Sequence, residues 1–222
     1  MNEHLPILKR VGKILIIVGL VDIGVMIYCI ANGISYSSSF NIFSVVAGVF
    51  LLRGSLRAAT IVTWLAAIFV VMLVGLPFVY PFVQPLELTW LQLHLYPATF
   101  AIAVVMWAFV VGLLYWVIRE LRRKPVLIAR EQSGKKAGSL RVPLALGGLV
   151  LIVFAIAVPM GLKSETGHLA QTKAMEQLGP GYKYVVSTLH ISESQQGRLV
   201  SAMVTAYNDK EIRMVSVKWS EK

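Results

Sequence analysis

The sequence predicts a bundle of five membrane-spanning helices followed by a small α+β domain with the element order α-β-β-β. The chain of 222 residues is 57% hydrophobic and only 14% charged, whereas a soluble domain carries about 25% charged residues. Long stretches lack charge, and the composition changes abruptly after Leu162. A chain of this length cannot bury so much apolar surface in water. The composition therefore strongly disfavours a soluble enzyme, a disordered chain and a disulfide-rich secreted protein.

Between Lys13 and Arg53 the only charged residue is Asp22, and between Arg57 and Arg119 it is Glu87. Apolar segments within these two stretches, and 142–162, are close to the length of about 20 residues that a helix needs to cross a hydrocarbon core of roughly 30 Å. In lipid, backbone groups must be paired within the segment, which favours helices over strands. The second of these segments has a polar start, Ile34–Ser39, so a re-entrant segment is the alternative there. The predicted spans are 14–31, 34–52, 58–80, 98–118 and 142–162.

The cations predict the orientation of these spans. The net charge is +10, and the Lys and Arg residues before residue 162 form three groups, at 9–13, 53–57 and 119–141. Short cytoplasmic loops accumulate such cations. Five spans with a cytoplasmic N-terminus bring all three groups to the cytoplasmic side and leave the C-terminal domain in the periplasm or outside the cell. The expected location is a bacterial cytoplasmic (inner) membrane.

The third group is dense enough to attract anionic lipid headgroups, because clusters of four to eight juxtamembrane cations do so. The alternative is that these cations only set the topology. Uncharged stretches separate the three groups, so no nucleic acid partner is expected. The candidate lipid contacts are Arg119, Arg122, Arg123 and Lys124.

The predicted domains are a transmembrane domain at 1–162 and an extracytoplasmic domain at 163–222. In the second, Ser164 or Thr166 can cap a helix over 166–178 that Gly179 ends. Three runs with strand composition follow, separated by short turns that are typical of hairpins in an antiparallel meander. These runs are Tyr182–Ile191, Arg198–Tyr207 and Glu211–Trp219.

Side chains of a strand alternate between two faces. In the middle run, one face consists of small residues against which a helix can pack, namely Val200, Ala202, Val204 and Ala206. The other face is also partly apolar, and a domain of about 60 residues without a disulfide or metal is marginal alone. A second copy, a partner protein or the chain's own outer loop could cover that face; alternatively, it is ordinary scattered apolar surface. The candidate partner face comprises Leu199, Met203, Tyr207, Ile212 and Met214.

The layout of a last span, a helix and a short meander over 164–219 resembles the outer domain of cytochrome oxidase assembly factors related to the mitochondrial import subunits. It is also similar to cystatin-like domains. The resemblance is one of layout, without a specific motif, and it implies no functional residue.

Asp22 is the one acidic residue inside a predicted span, and intramembrane carboxylates are often functional. A transport pathway would use it as a proton relay or ion ligand. The alternative is a structural hydrogen bond to Ser44, Asn41 or a backbone carbonyl. Transporters generally display several such groups, which favours the structural interpretation.

Glu87 and His94 are seven residues apart in the outer loop and share a face if that segment is helical. They are a candidate polar pair at a small binding site. The alternative is an interfacial helix with solvated polar positions.

The remaining motifs indicate no enzyme. Cys29 is the sole cysteine, and the sequence has no HExxH, CxxC, P-loop or GxGxxG pattern. No metal or cofactor is expected. The predicted function is that of a non-enzymatic membrane protein in an accessory, assembly or interaction role, acting on another membrane or periplasmic protein or on a second copy. The alternative is a small oligomeric transporter or channel that uses Asp22.

Overall fold

A computed structural model describes residues 3–33, 40–134, 139–194 and 197–221. The chain divides into two compact units. Unit 1 comprises 1–71 and 109–148, and unit 2 comprises 72–108 and 149–222. The division falls within three long helices, so it does not coincide with the boundary at 162 that the sequence suggests, and the two predicted domains stay a prediction.

Four helices of the described residues are long and apolar enough to cross a membrane. At a rise of 1.5 Å per residue, even the shortest of them extends roughly 33 Å, which exceeds a hydrocarbon core of roughly 30 Å. The membrane class that composition predicts is therefore supported. The four helices are α1 (His4–Ala31), α3 (Leu56–Val83), α5 (Pro97–Leu121) and α7 (Arg141–Leu162).

The second predicted span is seen only in part. Helix α2 (Phe40–Leu52) has 13 residues, which corresponds to a length of roughly 20 Å. The polar start of the predicted span, 34–39, lies outside the described residues. Four spanning helices are shown in place of the five that the sequence predicts, and the fifth crossing stays a prediction.

Helices α1 and α2 pack through glycines in unit 1. A Cβ added at Gly12 would lie 2.7 Å from the carbonyl oxygen of Gly48, and one added at Gly48 would lie 2.6 Å from Cγ1 of Ile16. Glycine therefore permits a backbone approach that any side chain would block, as is common between helices in membranes. Helix α6 (Lys124–Gln132) follows α5, with Pro125 in its first turn, where a proline is tolerated.

Unit 2 contains α4 (Leu86–Leu95), α8 (Glu165–Leu178) and a three-stranded sheet. The strands are β1 (Lys183–Ser194), β2 (Gly197–Tyr207) and β3 (Ile212–Glu221), in the order β1-β2-β3 and antiparallel throughout. The predicted α-β-β-β order is confirmed, with strand ends that shift by a few residues. The register of β1 against β2 shifts by one residue between Val186 and Thr188, which is a β-bulge at Ser187.

Helix α8 begins at the predicted cap, since the Ser164 side chain accepts a hydrogen bond from the Gly167 amide at 3.4 Å. It ends at Gly179, whose φ of 83° is readily adopted only by glycine. The helix packs on the predicted small-residue face of β2. Ala170 and Ala174 of α8 join a buried cluster whose strand members are Val186, Ala202, Val204, Ala206, Val215 and Val217.

Candidate functional site

Helix α4 lies beside one edge of the sheet and carries the acidic member of the predicted polar pair. The Nζ of Lys183, the first residue of β1, donates a hydrogen bond to Oε2 of Glu87 at 2.5 Å. Glu87 lies in the first turn of α4, where the helix dipole favours a carboxylate. The ion pair raises the pKa of Lys183, chiefly through this hydrogen bond. Glu87 therefore connects α4 to the sheet.

A cleft with a volume of about 960 Å³ opens beside this ion pair. One wall is the polar and aromatic side of α4, and the opposite wall combines the turn before β1 with the turn after β2. Tyr207 lines the cleft and is only 6% exposed; burial, and next the charge of Glu87, raise its pKa. The lining residues with polar or aromatic side chains are Glu87, Trp90, His94, Tyr182, Lys183, Tyr207, Asn208 and Asp209.

The turn between β2 and β3 is held by Asn208, whose Oδ1 accepts hydrogen bonds from the amides of Lys210 and Glu211 at 2.9 and 3.0 Å. This is the turn role for which asparagine is suited. The turn presents Asp209 as an exposed carboxylate at the rim of the cleft.

Tyr182 is oriented by the strand that follows this turn. Its hydroxyl donates to Oε1 of Glu211, Arg213 pairs with the same carboxylate oxygen at 3.0 Å, and the Arg213 guanidinium lies 5.7 Å from the centre of the Tyr182 ring. The hydrogen bond from Tyr182, followed by that from Arg213, lowers the pKa of Glu211. The same bond raises the pKa of Tyr182. The cleft wall is thus ordered by side-chain bonds.

On the sheet face opposite α8, the exposure of the side chains changes along the strands. At the cleft end Tyr207 is buried, whereas farther along the face Leu199, Met203 and Met214 are 52%, 43% and 74% exposed. Met214 pairs with Thr205, so it lies diagonal to Met203 on the same face. We call these three residues the open face. They are part of the predicted partner face, of which Ile212 is half-buried.

No family model, curated protein or solved structure matches this chain. The layout resemblance of residues 164–219 therefore stays a prediction. Function has to be inferred from the chemistry of these surfaces.

The side chains that line the cleft are suited to binding a ligand. The cleft combines an ion pair, aromatic rings and a further carboxylate, which are groups of the kind that orient polar or aromatic ligands in binding sites. Among the described residues, no group of three or more His, Cys, Asp or Glu side chains could hold a metal ion.

The structure brings the predicted pair Glu87 and His94 to the same cleft. It places Asp22 elsewhere, half-buried in α1 and engaged in an interaction within the chain. Ser44, one of the proposed partners of Asp22, is buried in α2 and also engaged, while the side chain of Asn41 lies outside the described residues. Neither role proposed for Asp22 is tested by this placement.

The four candidate lipid contacts lie around the end of α5 in unit 1. Arg123 pairs with the buried Glu120 at 2.6 Å, and Arg119 and Lys124 are exposed. Arg122 is half-buried and engaged in an interaction within the chain. The cation that sequence reasoning missed is Arg130, which is buried against α3.

Several cleft residues were also missed, notably Tyr182, Lys183, Asn208 and Asp209. A signal for them existed, because antiparallel pairing of the first two predicted runs brings the start of one beside the end of the other. The observed pairing of Lys183 with Tyr207 follows that rule. The position of α4 beside this edge had no comparable signal.

Proposed function

We propose that this chain is a non-enzymatic integral protein of a bacterial cytoplasmic membrane and that its C-terminal domain binds a partner protein outside the cytoplasm. The apolar helices hold it in the membrane, and the sheet presents the binding surface. An accessory or assembly role follows from this arrangement.

The exposure of Leu199, Met203 and Met214 is the observation that carries the proposal. The face of the sheet beneath α8 already has its own core, so the open face is not needed to hold the helix. Grouped exposed apolar side chains on a water-facing domain are typical of interaction sites. Methionine suits such a site because its flexible, polarisable side chain adapts to a partner.

The distribution of cations supports the proposed orientation. Every Lys and Arg between residues 1 and 162 belongs to unit 1, whereas the stretch 72–108 of unit 2 contains neither. Arg57 lies at the start of α3, Arg119 in the last turn of α5 and Arg141 at the start of α7, whereas the end of α3 and the start of α5 carry neither Lys nor Arg. The positive-inside rule then favours a cytoplasmic location for these cationic helix ends and an outward location for the C-terminal domain.

The residues that follow α2 lie beside the first residues of α1, which supports the proposal that α2 belongs to a second crossing of the membrane. A Cβ added at Gly54 would lie 2.7 Å from Cδ2 of Leu5. The loop with Arg53 is therefore beside the start of α1, as five spans with a cytoplasmic N-terminus require.

Photo-crosslinking in cells tests the partner. A photoreactive amino acid at Met203 or Met214 should give a discrete adduct with another protein, identified by mass spectrometry. Met175 is the matched control, because it has the same side chain, is 45% exposed and lies on α8 of the same domain. The absence of adducts from the open face, or equal adducts from Met175, would refute the proposal, and an adduct of doubled mass would identify a second copy as the partner.

Cysteine labelling tests the orientation separately. Cys29 is the sole cysteine, so Cys29→Ser provides a background in which Lys210→Cys and Arg123→Cys report one position each. A membrane-impermeant maleimide applied to intact spheroplasts should label the position at 210 only. Labelling of both positions, or of the position at 123 alone, contradicts the proposed orientation.

A further inference from the structure

An apolar crevice of about 250 Å³ lies in unit 1 between α1, α2, α3 and α5. Leu15, Phe43, Phe69, Leu114 and Val117 contribute to its walls. Three of these four helices are long enough to span a membrane, so the crevice opens among hydrocarbon chains. A void among apolar walls loses dispersion contacts, which a lipid chain restores.

A buried cation lies near this crevice. Arg130 of α6 is only 3% exposed, and its Nη2 donates a long hydrogen bond of 3.5 Å to the hydroxyl of Thr63. Its Nε has no hydrogen-bond partner among the described residues. Burial, and next the charge of Arg122, lower the pKa of Arg130. A buried guanidinium with donors left over is costly unless an anion satisfies it.

Helix geometry brings the cation and the crevice together. Thr63, the partner of Arg130, donates its own hydroxyl hydrogen to the carbonyl of Ala59 at 2.6 Å. Ala66 lines the crevice and is three residues beyond Thr63, so the two share a face of α3 with Cβ atoms about 5–6 Å apart. The Arg130 guanidinium therefore bonds a residue of α3 that lies one helical turn from the crevice wall.

We propose that unit 1 binds one anionic phospholipid, with an acyl chain in the crevice and the phosphate at Arg130. Arginine suits this role because its planar fork of donors matches phosphate oxygens. Its long side chain can swing the guanidinium toward the headgroup level when the lipid binds. Arg122 supplies a second positive charge nearby.

This site is distinct from the general attraction of cationic loops for an anionic membrane surface, because it requires a tail as well as a charge. It is also independent of the proposed partner surface in the C-terminal domain, since all its residues belong to unit 1.

Native mass spectrometry of the full chain released from mild detergent tests the proposal. The probes are dioleoyl phosphatidylglycerol and dioleoyl phosphatidylcholine, offered at equal concentration. We expect retention of a single phosphatidylglycerol with a preference of about tenfold, the ratio that one charge-assisted hydrogen bond supports. Equal retention of the two lipids would overturn the proposal.

Arg130→Gln should remove this preference, whereas Arg57→Gln should keep it. Arg57 is the matched control because it is an exposed cation of the same unit. Equal losses in the two variants would mean that only the overall charge attracts the lipid, which contradicts the site.

The wild-type chain provides a test that does not depend on a variant folding. Dihexanoyl phosphatidylglycerol has the same headgroup with tails too short to fill the crevice, so it should be retained much less than the dioleoyl form. Ala47→Leu narrows the crevice without changing a charge and should lower retention of dioleoyl phosphatidylglycerol. Equal retention of the short and long lipids by the wild type would overturn the tail site.

Discussion

The Nζ of Lys183 bonds Oε2 of Glu87 at 2.5 Å although 96 positions separate the two residues. The contact joins the first residue of β1 to the first turn of α4. Both side chains are 66% exposed, and exposed ion pairs contribute little to stability. The pair therefore positions α4 against the sheet edge more than it stabilises the fold.

Glu87→Gln should lower the pKa of Lys183 toward its ordinary value of 10.5, because it removes the largest cause of the raised pKa. Asp209→Asn should lower it less, since the charge of Asp209 is the smallest contribution. A raised pKa stabilises the protonated form, so this contribution to stability is present at neutral pH and is lost as the pH rises through the raised value. An NMR titration of ¹³C-methylated lysines measures both shifts. A larger effect of Asp209→Asn would contradict the assigned cause.

Tyr182→Phe should raise the pKa of Glu211 toward its ordinary value of 4.5, because the Tyr182 hydroxyl is the main donor to that carboxylate. A lowered pKa favours the ionised form, so its contribution to stability is present above 4.5 and is lost as the pH falls through the lowered value. The variant should therefore show a weaker loss of stability on the acid side. Thermal unfolding followed across that pH range measures the difference, and an unchanged acid dependence would contradict it.

Ser164→Ala should destabilise α8 by about 1 kcal/mol, because it removes the N-cap acceptor that bonds the Gly167 amide. Thr166→Ala is the control, since Thr166 lies within the first turn of the helix and not at its cap. Hydrogen exchange of the α8 amides in the full chain measures the effect. Equal protection in the two variants would show that Ser164 is not the cap in solution.

Gly48→Ala should weaken the packing of α1 on α2 by about 1–3 kcal/mol, the usual cost of adding volume to a packed contact. The added Cβ would meet both Ile16 and the carbonyl of Gly12. Gly24→Ala is the matched control, since nothing lies within 4 Å of the Cβ that it adds. The midpoints of thermal unfolding in detergent compare the two, and equal midpoints would contradict close packing at Gly48.

Most of the C-terminal domain could be predicted because its strands and its helix ends are determined by residues that are close together in the sequence. Alternation along one strand assigns Val204 to the helix side and Met203 to the opposite side, and the structure agrees. The cap at Ser164 and the stop at Gly179 likewise depend on residues next to them.

The position of α4 at the cleft and the burial of Arg130 could not be predicted because they depend on contacts between distant segments. No periodicity within 86–95 indicates that this helix lies beside the start of β1. Arg130 belongs to a helix of polar composition, where a charged side chain is expected to be exposed. Its contact with Thr63, 67 positions away, is visible only in the folded chain.

The bulge at Ser187 decides which side chain meets Glu87. Before it, Tyr184 and Val186 pair with Ala206 and Val204 on the helix side; after it, Leu189 takes that side opposite Ala202. The strand thus changes phase by one residue within its length. If β1 instead kept regular pairing backward from Leu189, with Ser187 opposite Val204, Lys183 would turn toward α8 and Tyr184 would take the opposite face in place of the ammonium group.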